Sequence, residues 1–193
     1  MAGIVSIEDG RRKRGDQSRR LIVEAMLQLV RGGEMSPSAV QVAERAGVGL
    51  RTVCRHFQEM EVLYREMAEV IAAKVLPVIN RPYTSASWRQ RLQEMIKRRI
   101  EIYEEIMPLK IAGSVLRFRS AFLMEDYRAH LRMEREGLEA IMPESVRMDA
   151  TLFRAIEMVT SFQAWRRLRQ DQKLSLAEAR RVMMRLLDGT IGS

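Results

Sequence analysis

Two histidines, His56 and His130, and one cysteine, Cys54, are the whole inventory of imidazole and thiol in the 193 residues. None of the three has a second ligand at metal-binding spacing, and neither histidine stands beside a nucleophile and an acid in sequence. Glu104 and Glu105 are adjacent, so a helix sends them in different directions and they do not converge on one substrate. No glycine-rich phosphate loop and no Gly-x-Ser-x-Gly elbow is present. These residues predict no enzyme, no metal and no cofactor.

The chemistry that remains is recognition of negative charge. Lys plus Arg total 33 against 25 Asp plus Glu, a net charge of +8, which favours a polyanionic partner, nucleic acid before a membrane surface. Arg11-Arg12-Lys13-Arg14 and Arg19-Arg20 put six basic residues into ten, opposed by Asp16 alone. We read residues 1–19 as a mobile basic arm. An apolar fraction of 47%, with 30% charged residues, 11 Gly and 5 Pro, excludes collagen-like, low-complexity and mostly disordered classes, and the length suits one or two compact domains. The first ten residues lack the apolar run of a secretory signal, and no window approaches the roughly 18 apolar residues of a membrane span. A cytoplasmic protein with no membrane partner is expected.

Helical periodicity supplies the elements that would position such residues, and no strand pattern appears. Ile22, Ala25, Met26, Leu29 and Val30 define a first helix that Gly32-Gly33 ends. Ser36-Pro37 reads as an N-cap and first helical residue, opening a short helix to about Arg45. After the Ala46-Gly47-Val48 turn a second short helix covers Leu50 to Phe57, and a longer one runs from about Glu59 until Pro77 disturbs it. Asn80 to Ser87, rich in proline and small polar residues, marks a domain boundary between 20–80 and 81–193. A capping box at Ser87 and Gln90 opens a helix to about Ile106, and Pro108 ends or kinks it before a piece from Leu109 to about Arg117. Further helices are expected over Ser120 to Ile141, Met148 to Gln170 and, after the box Ser175 and Glu178, Leu176 to Leu187, with Gly189 as a stop.

Val42 and Ala43, Gly47 and Val48, and Val53 have the spacing of a helix-turn-helix: a small residue where two helices cross, a glycine for the turn, and a valine packing the second helix on the first. An ordinary helical hairpin with a glycine turn meets the same spacing. The wider segment, Ile22-Val23-Glu24-Ala25-Met26-Leu27-Gln28-Leu29-Val30, then Ser38-Ala39-Val40-Gln41-Val42-Ala43-Glu44-Arg45-Ala46-Gly47-Val48, then Thr52 and Arg55-His56-Phe57, resembles the TetR family of transcription regulators. It does so without a gap from about Arg20 to Met67. The resemblance implies an all-α fold, with an N-terminal three-helix DNA-binding domain, a connecting helix, and a C-terminal helical domain that binds a small-molecule effector and forms a homodimer. It further implies a ligand-responsive repressor on a palindromic double-stranded operator.

On this reading the DNA contacts are Ser38, Gln41, Leu50, Arg51, Thr52, Cys54, Arg55 and His56, with Arg11, Arg12, Lys13 and Arg14 following phosphates or entering an adjacent groove. Ser38 matches a phosphate-contacting Thr of the family, or is a solvated first-turn residue; Gln41 can reach a base. Arg51 reads a guanine edge or contacts phosphate. Leu50 touches a thymine methyl or packs inward, His56 contacts phosphate or caps the helix, and Cys54 is a redox-sensitive contact or an ordinary half-buried thiol. The chain departs from the family pattern at Gly49 (usually Ser), Arg51 (usually Gly or Ala), Cys54 (usually Tyr) and Met60 (usually Lys). The Tyr and Lys touch phosphates in the family, so those contacts would pass to Arg51, Arg55 and the basic arm.

Fourteen methionines are many for this length, and flexible thioethers suit either an irregular ligand or a core. Met95, Arg99, Tyr103, Met107, Phe118, Phe122 and Tyr127 form the expected effector pocket, with Met124, Met133, Arg117 and Arg119 nearby in sequence. Arg128 is expected to pair with Glu125, and Arg132 with Glu136. Leu152, Phe153, Ile156, Met158, Val159, Phe162 and Trp165 exceed the stripe of about 100° that one helix turns to its own core. The excess predicts a dimer interface of Phe153, Met158, Phe162, Trp165, Met183 and Leu187. Two other readings stand beside the regulator. One is a helical protein that binds nucleic acid or an anionic surface nonspecifically through Arg11 to Arg20; the other is a small-molecule carrier with a vestigial helix-turn-helix.

Overall fold

A computed structural model describes residues 3–57 and 60–192, with side chains from 13 to 57 and from 61 to 192. Among these the chain is all helical: α1 (Gly3–Arg31), α2 (Ala39–Ala46), α3 (Leu50–His56), α4 (Met60–Ile79), α5 (Trp88–Leu116), α6 (Ala121–Ile141), α7 (Glu144–Met148), α8 (Ala150–Val159), α9 (Phe162–Arg166) and α10 (Leu176–Ile191). A turn of 3-10 helix at Arg117–Arg119 precedes α6, and a π-helical turn at Arg167–Asp171 follows α9.

The segment expected as a mobile arm is helical from Gly3 onward. Arginine and glutamine are good helix formers, and the helix-weakening Gly10 and Gly15 are isolated. Ser18 Oγ donates to the Arg14 carbonyl at 2.9 Å, and Arg19 pairs with Glu66 of α4 while lying over the Phe57 ring.

Two compact units emerge, Met1–Ala73 with Pro108–Met124, and Lys74–Met107 with Glu125–Ser193. The expected boundary at residue 80 is not where they divide; the chain passes between them inside α4, α5 and α6. Both α4 and α5 continue through a proline, Pro77 and Pro108, although either deprives the carbonyl four residues back of its donor. Buried apolar residues on both sides, Ile106, Met107 and Ala112 around Pro108, offset that loss.

The core of the first unit joins Ile22, Met26 and Val30 of α1 to Val42, Val53, Phe57, Leu63 and Met67. In the second unit Leu92, Ile96 and Tyr103 of α5 meet Leu138, Ile156, Trp165, Met183 and Leu187, all buried. Segment 80–87, expected as a domain boundary, is tied down by one face of α5. Glu94 accepts from the Thr84 amide at 3.1 Å, the Ser85 amide at 2.8 Å and both hydroxyls. Arg91 donates to the Ser85 carbonyl at 2.8 Å, and Arg98 to the carbonyls of Arg81 and Pro82.

The single helix expected over Met148 to Gln170 is broken in two places. Asp149 caps α8 by accepting from the Thr151 and Leu152 amides, and Ser161, extended at φ −76° and ψ 159°, caps α9 by accepting from Ala164. The second break re-aims Phe162, Trp165 and Leu168 into the same core as Phe153 and Ile156, where all five are buried. The apparent second apolar stripe exists only on a straight helix. At the end of the chain Gly189 does not stop α10, which runs to Ile191 before Gly192 takes φ 70°.

Candidate functional site

The first site is built by α2 and α3. Ser38, not Ser36, caps α2: its hydroxyl accepts from the Gln41 amide at 3.3 Å while Gln41 Oε1 takes the Ser38 amide at 2.8 Å. Gln41 Nε2 also reaches Glu34 at 3.4 Å, so neither side chain offered for DNA contact is idle. At the other end Gly47 sits at φ 65° and ψ 32°, with its amide bonded to the Glu44 carbonyl and that of Val48 to Ala43 at 3.0 Å. This left-handed termination satisfies two helix-end carbonyls and turns the chain into α3 within three residues.

Val53 fastens α3 to the core at 1% exposure. At about 100° per residue, Leu50, Cys54, Arg51 and Arg55 then fall on one face, and all four are exposed. Leu50, undecided from sequence, is turned outward at 45% exposure. Thr52 and His56 are half-buried. His56 lies toward α1, where a Cβ built on Gly15 would stand 4.0 Å from its Cε1. Burial and the charges of Arg55 and Arg19 hold its pKa below the ordinary value, against the pull of Asp16. Lys13 and Arg14 are exposed on α1; the side chains of Arg11, Arg12 and Met60 lie outside the described residues.

A second site lies in the other unit. A cleft of about 280 Å³ is lined by Ile79, Tyr83, Met95, Arg98, Arg99, Ile102, Tyr103, His130, Met133, Glu134, Glu136 and Gly137. Of the expected pocket residues it brings together Met95, Arg99 and Tyr103 only. Met107 is buried beside Gln170, Tyr127 is half-buried away from the lining, and Phe118 and Phe122 belong to the first unit. Phe118 is 74% exposed and Phe122 lies beneath Arg65. The α5 and α6 periodicity groups these residues as apolar, but helix direction alone does not say which unit each faces.

Beneath the cleft is a buried polar cluster. Arg99 Nη1 donates to Thr160 Oγ1 at 2.8 Å and to its carbonyl at 3.2 Å, and Nη2 donates to the Glu134 carbonyl. Glu134 Oε1 accepts from the Tyr103 hydroxyl and from the Phe162 amide at 3.0 Å. His130 Nε2, itself shielded from water, stands 3.4 Å from the same oxygen, one helical turn away on α6. Burial pushes the Glu134 carboxyl up, but His130, Arg99 and the Tyr103 hydroxyl outweigh it and hold the pKa below the usual range. Burial drives the Tyr103 phenol well above its ordinary value, and Glu134 adds to this against the opposing charge of Arg99. Sequence reading missed His130 and Glu134, although their i,i+4 spacing on one helix was a visible signal.

The dimer residues expected from periodicity are mostly interior. Phe153, Phe162, Trp165, Met183 and Leu187 are all buried within the chain itself, and Met158 alone is exposed, at 67%. Glu104 anchors Trp165 Nε1 at 2.8 Å and Arg169 in a two-pronged pair at 2.9 Å, whereas Glu105 pairs with Lys74 at 3.5 Å. Arg132 pairs with Glu125 at 2.7 Å rather than with Glu136. Among the described residues no group of three His, Cys, Asp or Glu could hold a metal ion, and no helix is long and apolar enough to cross a membrane. No family model, no curated protein and no solved structure matches the chain.

Proposed function

We propose that the chain is a ligand-responsive, sequence-specific DNA-binding repressor of transcription that acts as a homodimer, as its resemblance to the TetR family implies. The observation that carries the reading is the outward face of α3. Leu50, Arg51, Cys54 and Arg55 stand exposed behind a left-handed Gly47 turn, with Val53 fixing the helix to its support. A helix so held presents side chains to a major groove, where Arg51 makes a bidentate contact with guanine and Leu50 meets a thymine methyl. Arg55, with Lys13 and Arg14, supplies phosphate contacts in place of the absent family Tyr and Lys. Ser38 and Gln41 act by fixing the start of α2 rather than by touching bases, because their side chains bond to each other.

Dimerisation on a palindrome needs an interface other than the buried core residues. α8 and α10 pack together, and each leaves an apolar side chain in solvent, Met158 at 67% and Leu186 at 49% exposure. These residues form the dimer contact in this proposal. The cleft of the other unit holds the effector, and a coupling of about 1–3 kcal/mol between the two binding events is enough for a regulatory response.

The test is selection from a random duplex library at about 0.15 M salt, where nonspecific phosphate binding is weakened. The expected result is an enriched palindrome whose preference at one base pair relaxes in Arg51→Ala, a loss of about 1–3 kcal/mol of discrimination. Uniform weakening across sequences would make Arg51 a phosphate contact. Absence of any enriched sequence with folded protein would overturn the regulator in favour of a nonspecific binder or a carrier.

A further inference from the structure

We infer that the cleft lined by α5 and α6 takes a small monocation with an apolar body, such as an amine or amidine on a single ring, whose positive charge is held by Glu136 at the rim. The inference deepens the effector reading above, on which only its regulatory consequence rests.

Most of the wall is apolar. Ile79, Ile102, Met95 and Met133 supply two branched side chains and two thioethers, which adapt to a flat or irregular body. At about 280 Å³ the cleft is at the lower edge of ligand sites, which run from about 300 to 1,000 Å³. That size admits one ring with short substituents.

The charges of the lining are unevenly answered. Arg98 donates to the carbonyls of Arg81 and Pro82 and stands 3.5 Å from the Glu94 carboxylate. Arg99 is held by Thr160 and by the Glu134 carbonyl, and its charge also acts on the Glu134 carboxyl. That carboxyl in turn accepts from Tyr103 and from the Phe162 amide, with His130 beside it. Glu136 is the charge left over: it lines the cleft, is exposed, and has no ion pair or hydrogen bond among the described residues. Its natural partner one turn back on α6, Arg132, is drawn to Glu125 at 2.7 Å, and the neighbouring Arg135 to Glu139 and Glu157.

An unanswered carboxylate at the mouth of an apolar cleft selects its ligand by sign. A body seated on the cleft walls strips water from Glu136, a cost that an ammonium repays and a neutral group does not. A ligand carboxylate would meet Glu136 with both guanidiniums of the lining already bound. The Tyr83 hydroxyl, which also lines the cleft without a hydrogen bond, can donate or accept and so does not decide the sign.

The experiment follows the Met95 and Met133 methyl signals by NMR in the full chain, isotope-labelled at methionine, during titration with three probes of one shape. These are 4-isopropylbenzylammonium, 4-isopropylbenzyl alcohol and 4-isopropylbenzoate. The ammonium is expected to bind about two- to fivefold more tightly than the alcohol, the worth of a solvent-exposed ion pair, and the carboxylate more weakly than the alcohol. The advantage of the ammonium should shrink as salt is raised to about 1 M. Glu136→Gln should bring ammonium and alcohol together, and Glu136→Lys should place the carboxylate ahead of the ammonium; the position is exposed, so both variants keep the fold. Binding of the ammonium no tighter than the alcohol, a ranking unchanged in Glu136→Lys, or no shift at either methyl with any probe would overturn the inference. The expected ranking without any change in affinity for a selected duplex would instead overturn the effector reading and leave the ligand class standing.

Discussion

At the residue scale, polar groups whose surroundings are unusually rich or unusually poor in partners govern the response to pH and to substitution. Glu94 collects two amides and two hydroxyls from Thr84 and Ser85, and the hydrogen bond from Ser85 does most to bring its pKa from 4.5 to about 2. Because the folded value lies below the unfolded one, its contribution is complete above pH 4.5 and is lost as pH falls through about 2. An NMR titration of the Glu94 carboxyl should find that midpoint, and proteolysis within 80–87 should rise across the same window. Glu94→Gln should be open to proteolysis at every pH. Tyr64 presents the opposite case, a hydroxyl at 2% exposure with no partner, its pKa raised by burial. Tyr64→Phe removes an uncompensated desolvation cost and should raise unfolding stability by about 1 kcal/mol in urea denaturation. A loss of that size would mean that the hydroxyl is bonded after all.

At the element scale, two glycines that look alike in sequence are expected to respond to alanine with opposite signs. Gly47 ends α2 at φ 65°, and a Cβ built there meets nothing within 4 Å, so the cost of Gly47→Ala is purely conformational, about 1–2 kcal/mol. Gly137 lies within α6, and its Cβ would rest 3.8 Å from Met95 Cε and 3.9 Å from Arg99 Nη2, ordinary contact distances. Gly137→Ala should therefore gain about 0.5–1 kcal/mol, read from paired thermal and denaturant unfolding, while narrowing the cleft. The breaks at Asp149 and Ser161 belong to the same scale. Each is a residue type that competes for backbone donors, and each takes the N-cap of a new helix rather than extending the old one. That competition was written in the sequence, yet an unbroken apolar period from Leu152 to Trp165 masked it.

At the scale of the whole molecule, the proposed dimer separates core from surface. Met158→Glu with Leu186→Glu should yield a monomer by light scattering with unchanged thermal stability, because both side chains are exposed. Trp165→Ala, at 0% exposure and bonded to Glu104, should instead cost about 3–5 kcal/mol of folding stability whatever the oligomeric state. An unfolded double variant would place Met158 and Leu186 in a core contact and remove the proposed interface. What the sequence by itself determined is the part that depends on near neighbours: the all-helical class, the Gly47 turn, the capping box at Ser175, the Ser87 hydroxyl accepting from the Gln90 amide, and the inward Val53. Those features are set by hydrogen bonds spanning a few residues and by one helical period. Only the tertiary structure decided which unit claims Phe118 and Phe122, that Phe162 and Trp165 are interior, and that Arg99 meets Glu134 across 35 residues and Glu104 meets Arg169 across 65. A period fixes which residues share a face of a helix. What that face meets depends on breaks and crossings that bring distant segments together, and the partners of buried and half-buried polar groups are settled there.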